Sequence, residues 1–143
     1  MVPSWHRDDV GGDVLTGPPC VHLHPLAGRY AVCRMAPTAQ LSLPADPGEF
    51  YAVTRTPDEV SVVCPENAVP SAATAEMGWS GLAVAGPLDF ALTGILSAIV
   101  GPLAAAGIPI FAVSTYDTDY VFMKAELFDD AVSVLRSAGH TVG

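Results

Sequence analysis

Ser114-Thr115-Tyr116-Asp117-Thr118-Asp119 packs hydroxyls and carboxylates into six consecutive residues. Such a stretch suits an ammonium or guanidinium group, because ionised carboxylates only accept hydrogen bonds and hydroxyls can accept as well. The same letters are ordinary turn chemistry, since Asp, Thr and Ser hydrogen-bond their own backbone. Upstream, Gly86-Pro87-Leu88-Asp89 leads into an apolar run. A helix starting there would offer free N–H groups and the positive end of its dipole to a carboxylate or phosphate. Asp89 as N-cap would use part of that capacity, and capping alone accounts equally well for the tetrapeptide.

Other chemistry is sparse. Cys20, His22 and His24 alternate, which on a strand would align three metal-ligand types on one face. No second cluster supplies a fourth ligand, and Gly17-Pro18-Pro19 and Pro25 fit an extended arm better. His140 stands near the C-terminal end, so position suggests no Ser-His or Cys-His pairing. Asp117 and Asp119 are imaginable as an acid–base pair, although carboxylates on a turn are usually solvated. No Gly-x-x-x-x-Gly-Lys or Gly-x-Gly-x-x-Gly occurs. The inventory points away from an enzyme and from a resident cofactor or metal.

Composition narrows the class. Half of the 143 residues are hydrophobic, and six Lys plus Arg face fifteen Asp plus Glu for a net charge of −9. So few cations neutralise few phosphates, which argues against nucleic acid and against an anionic membrane surface. Phe90 to Tyr116 carries no charge and is long enough to span a bilayer. Gly94, Gly101-Pro102, Gly107 and Pro109 interrupt it, and its period changes halfway, so a helix followed by a buried strand is expected instead. Three cysteines and an opening without a basic-then-apolar segment lead us to expect reduced thiols and a cytoplasmic location.

Residues 1–26, rich in Gly, Pro and Asp, read as a loose arm. Strands are expected at 29–35, 49–55 and 60–64, with prolines forbidding a long helix between 36 and 48. Residues 69–78 read as a linker. A strand at 79–85 precedes an amphipathic helix capped by Asp89 and ended near Gly107, which Pro102 should kink or shorten. A hairpin over 110–115 and 120–124, a second helix around Phe128, Ala131, Val132 and Leu135, and a strand at 140–142 complete the chain. The order β-α-β-β-α-β is the split, ferredoxin-like arrangement.

Residues 50–66 laid without a gap over 110–126 match at Ala52/Ala112, Val53/Val113 and Glu66/Glu126, with Thr54/Ser114 and Glu59/Asp119 similar. Two β-rich halves are expected, the first (27–68) having largely lost its helices and the second (79–143) keeping them. The first helix has Leu92, Ile95, Ile99 and Leu103 on one face and Thr93, Gly94, Ser97, Ala98, Gly101, Ala104 and Ala105 on the other. A face of small uncharged residues permits close approach by the first half or by a second subunit, although an Ala-rich soluble helix would look the same.

Trp79-Ser80-Gly81-Leu82, Gly86-Pro87-Leu88-Asp89-Phe90, Thr93-Gly94-Ile95-Leu96, Ala106-Gly107-Ile108-Pro109-Ile110-Phe111 and the turn 114–120 resemble the ACT-domain family. The branch they resemble is small bacterial ACT proteins related to the animal cytosolic arginine sensors, with 29–34 and 54–66 similar to a degenerate first repeat. The resemblance implies an α+β fold of tandem ACT-like repeats, antiparallel sheets with helices on one face, and a non-catalytic regulator. It also implies an amino acid held between repeats or subunits, and hence a homodimer or higher homo-oligomer. Carried over by position, Leu88, Asp89, Phe90, Thr93 and Gly94 would form the ligand loop and first helical turn. Thr115, Tyr116, Thr118 and Asp119 would form the hairpin side, with Asp119 facing a cationic group. Ser61 and Val62 would close the site. The alternative is a ligand-free interaction or scaffold module of the same fold.

Overall fold

The computed structural model describes residues 19–88 and 94–143. Its organising element is β5 (Thr74–Val84), eleven residues long. The start of β5 pairs antiparallel with β2 (Tyr30–Met35), from Arg34↔Thr74 to Tyr30↔Trp79. Its end pairs on the same edge with β1 (His22–Pro25), through Leu23↔Val84 and Pro25↔Leu82. The opposite edge takes β7 (Asp119–Lys124), from Trp79↔Lys124 to Ala83↔Tyr120. Outside β2 lie β4 (Val60–Pro65) and then β3 (Ala52–Arg55). Outside β7 lies β6 (Ile110–Ser114), and outside β1 the short parallel strand β8 (Thr141–Val142). Among the described residues these eight strands form one open sheet in a mixed α+β fold.

Two expectations are corrected here. The arm was expected to stay loose through residue 26, yet His22–Pro25 is a strand inserted between β5 and β8. The linker was expected to run to residue 78, yet β5 starts at Thr74 because β2 offers its edge there. Local propensity at both places is weak, and pairing with a distant partner overrides it.

Side chains alternate between the two faces of each strand and so sort into separate cores. Leu23, Leu82, Val84, Val121 and Met123 meet Ile99 and Leu103 of α1 (Ile95–Ala105) and Ala131 and Leu135 of α2 (Phe128–Ser137). In the first half, Ala31, Cys33, Met35, Val60, Val62 and Cys64 form a second core. Ala39, Leu41 and Tyr51 of the connection from β2 to β3 pack against it, where the second half has a helix. A third core takes the alternate residues Tyr30, Val63, Trp79 and Phe122 together with Phe50, and it joins the halves.

Cys33 and Cys64 sit buried in the second core, whereas Cys20 is exposed. Burial, reinforced by the neighbouring Cys33, pushes the Cys64 thiol up from 9.0 to about 12. Burial pushes Cys33 up as well. A disulfide reagent should therefore titrate Cys20 alone in the native chain and reach Cys33 and Cys64 only after denaturation. Rapid reaction of either would contradict this core. The sign of the linkage follows: the unfolded thiol loses its proton near 9.0 and the native Cys64 near 12. Stability from this group is therefore complete below the first value and declines as pH rises through that window.

The helix α1 runs through Pro102 to Ala105 and is not ended by it. Proline has no N–H for the carbonyl four residues back, which is that of Ala98. His140, 4% exposed, supplies the missing donor: its Nε2 lies 2.9 Å from the Ala98 oxygen. Its Nδ1 accepts from the Val21 N–H at 3.1 Å, which fixes the neutral Nε2–H tautomer. One imidazole thus ties the approach to β1, the proline-interrupted helix and the start of β8. On the outer side of α1, Ser97, Gly101, Ala104 and Ala105 are exposed and Ala98 is buried.

Both hairpins have the same four-residue turn. The Thr56 N–H donates to the Glu59 oxygen at 2.9 Å and the Thr115 N–H to the Thr118 oxygen at 2.8 Å. Each threonine hydroxyl also accepts from a turn N–H, that of Glu59 at 3.1 Å and that of Thr118 at 3.3 Å. Arg55↔Val60 and Ser114↔Asp119 are the last pairs before the turns. Equivalent positions are thus one residue out of step with the gapless overlay, which set Thr54 on Ser114 and Glu59 on Asp119. A one-residue slip exchanges the faces of a strand, so the identities Ala52/Ala112 and Val53/Val113 do not mark equivalent places.

Candidate functional site

The turn joins β6 to β7, and β5, the neighbour of β7 on its other side, leaves the sheet at Val84. Two hydrogen bonds hold the departing loop against the turn. The Leu88 N–H donates to the Asp117 oxygen at 2.7 Å, and the Thr118 hydroxyl donates to the Val84 oxygen at 2.7 Å. Gly86 makes the approach feasible, because a Cβ there would lie 3.1 Å from both the Asp117 oxygen and the Thr118 Cβ. Gly86→Val should push the loop off the turn and destabilise the chain by about 1–3 kcal/mol. Thermal unfolding checks this, and an unchanged midpoint would show that the loop is not held there.

Between loop, turn and helix start lies a cleft of ≈ 330 Å³, lined by Leu88, Gly94, Ile95, Leu96 and the six residues 114–119. Gly94 has φ +78 and turns the chain into α1, and the Ala98 N–H returns to its oxygen at 2.9 Å. The cleft wall holds two carboxylates, Asp117 and Asp119, and among the described residues that line it none is basic. The Ser114 hydroxyl donates to Asp119 Oδ1 at 2.5 Å and fixes that side chain. An ionised carboxylate accepts several hydrogen bonds, so Asp119 keeps capacity for a cationic donor. Leu88, Ile95 and Leu96 give an apolar wall opposite. Tyr116 stands at the rim, 81% exposed. A volume near 300 Å³ is at the small end for ligand pockets and suits a single small polar molecule.

Of the expected site residues, the structure brings Leu88, Gly94, Thr115, Tyr116, Thr118 and Asp119 around this cleft. Asp89, Phe90 and Thr93 lie outside the described residues. Ser61 and Val62 are elsewhere: both are on β4, paired to β2 and β3, and Val62 is fully buried in the first-half core. Within one chain they do not reach the cleft. Ser114, Asp117, Ile95 and Leu96 also line it, and the hydroxyl–carboxylate run at 114–119 was the signal for the first two. Among the described residues, no group of three or more His, Cys, Asp and Glu could hold a metal ion. No described helix is long and apolar enough to cross a membrane.

Residues 74–137 match the family model described as the ACT domain, and residues 28–72 match a second model, described as an N-terminal domain. A crystallised protein of Agobacterium tumefaciens is 34% identical, with 87% of this chain and 93% of that one covered and a TM-score of 0.80. Aspartate kinase of Clostridium acetobutylicum shares the fold at 13% identity and a TM-score of 0.62, over 89% of this chain and 37% of the kinase. The regulatory subunit of aspartate kinase from Thermus thermophilus shares it at 10% identity and a TM-score of 0.52, over 78% and 93%. No curated protein matches the chain.

Proposed function

We propose that this chain, which belongs to the family of the Agobacterium tumefaciens protein and carries an ACT domain over residues 74–137, is a non-catalytic regulator that binds an amino acid in the cleft beside α1. The observation that carries the reading is the cleft itself. A fixed carboxylate, hydroxyls and an apolar wall surround a space of amino-acid size. Asp119 receives the ammonium or another cationic group, and the hydroxyls of Thr115 and Thr118 border it. The family resemblance would add Asp89, Phe90 and Thr93 to the ligand's contacts. The fold shared with a regulatory subunit of aspartate kinase supports a regulatory role.

The strand order supports a tandem reading. β3-β4-β2-β5 in the first half and β6-β7-β5-β1 in the second repeat one antiparallel arrangement around a shared strand. We take the chain as two ACT-like units, the first degenerate, acting in the cytoplasm as a homo-oligomer. In such an oligomer, half-buried Ser61 would belong to a contact between chains, whereas Val62, fully buried in the first-half core, would not. The small exposed residues of α1 favour the second reading, a scaffold module whose helix face docks a partner without ligand. Titration of wild type and Asp119→Asn with each proteinogenic amino acid separates the two, since the scaffold reading expects none to bind. The sensor reading expects the carboxamide to weaken binding at least tenfold, the cost of a charge-assisted contact. Unchanged affinity would remove Asp119 from the site.

A further inference from the structure

The two hairpins can be placed on each other through their turns, and that correspondence extends to the neighbouring strand. Ser61 and Tyr120 occupy equivalent hairpin positions; Ser61 pairs with Arg34 and Tyr120 with Ala83. Arg34 therefore corresponds to Ala83, and counting onward Pro37 corresponds to Gly86 and Ala39 to Leu88. The first half has, in this frame, its own loop and its own turn at the place where the second half has the cleft. What differs is the residue before the turn. The second half has Ser114, whose short side chain leaves the space open, and the first half has Arg55.

The Arg55 guanidinium crosses from strand end to loop, donating through Nη1 to the Pro37 oxygen and through Nη2 to the Ala39 oxygen. Arg34 Nη2 donates to the Asp58 oxygen at 3.2 Å, and Asp58 is the counterpart of Asp117, whose oxygen takes the Leu88 N–H. Loop and turn are thus joined in both halves, by a main-chain bond and the Thr118 hydroxyl in one and by guanidinium groups in the other. We propose that the first half has, at the place corresponding to the cleft, a guanidinium-binding position occupied by its own exposed Arg55, so that each chain offers one open ligand position rather than two. The inference rests on the paired strands and the Arg55 contacts, and it stands whether or not the second-half cleft takes an amino acid.

Removing the side chain should convert the filled position into a site for an external guanidinium. The test is an amide-resolved NMR titration of the whole chain with methylguanidinium chloride, with sodium chloride as the ionic control. In Arg55→Ala, the amides of residues 38–40 and of Thr56, Asp58 and Glu59 should shift in a saturable way, and in wild type the same amides should stay still. Arg55→Gln, which keeps part of the side chain and one amide donor group, should respond more weakly than Arg55→Ala. Shifts at these amides in wild type and variant alike, or in neither, would overturn the proposal. Both outcomes are independent of any change at residues 114–119.

Discussion

Phe122→Ala should lower the stability of this chain by about 3–5 kcal/mol, enough to unfold an average domain of this size at modest temperature. Phe122 is fully buried and stacks on Phe111 at 4.9 Å between ring centroids, with 13° between planes. It also meets Phe50 at 5.2 Å and Tyr30 at 5.6 Å, both from the first half. Truncation removes the transfer energy of the ring, leaves a cavity, and deletes aromatic pairs worth about 0.5–1.5 kcal/mol each beyond their area. Because this ring contacts both halves, both should unfold in one transition, with far-UV circular dichroism and tryptophan fluorescence coinciding. Two separated transitions in wild type would show that the third core does not join the halves.

His140→Ala should cost about 3 kcal/mol, or roughly a 10 °C fall in melting temperature, although neither Val21 nor Ala98, its hydrogen-bond partners, is a candidate site residue. The substitution strips the Ala98 oxygen and the Val21 N–H of their partner in a buried place. A sharper version of the test uses the proline. Pro102→Ala restores a main-chain N–H to the Ala98 oxygen, so His140→Ala should be about 1–2 kcal/mol cheaper in that background. Equal cost in both backgrounds would mean that His140 acts only by packing. Direct measurement of both single variants and the double by thermal unfolding decides it.

These two residues also show what the sequence could and could not convey. Phe122 lies in a run of apolar and aromatic residues, so its strand and its burial follow from local pattern. His140 and Pro102 are each visible in the sequence, one as a histidine without a triad and the other as an expected break. Their bond joins segments that no local rule connects. The same reason hides β1. His22-Leu23-His24-Pro25 carries a single large aliphatic side chain, and it becomes a strand because β5 and β8 flank it. The start of β5 at Thr74 is hidden likewise, since Thr-Ala-Glu-Met-Gly has little strand pattern of its own.

The repeat illustrates how letter matching misleads. Identities at Ala52/Ala112 and Val53/Val113 favoured one overlay, whereas turn hydrogen bonds select another, with Thr56 on Thr115 and Asp58 on Asp117. Turn chemistry is local and specific, while alanine and valine recur on any strand. The candidate cleft was accessible for the same reason, as the loop ending at Leu88 and the turn 114–119 each have their own turn signal, and the helix start at Gly94, Ile95 and Leu96 completes it. Ser61 and Val62 entered only through family resemblance, and one chain keeps them in its other half.

The central claim, an amino-acid site lined by the 114–119 turn, is tested most directly by thermal unfolding of wild type and Asp119→Asn against the full set of proteinogenic amino acids. A ligand at a hundred times its dissociation constant stabilises the native state by about 2.7 kcal/mol, a shift of several degrees for a chain of this length. The account predicts a selective response to one amino acid or one side-chain class, reduced or lost in Asp119→Asn. Silence across the whole set from a folded wild-type protein, or a response that Asp119→Asn leaves intact, would contradict it.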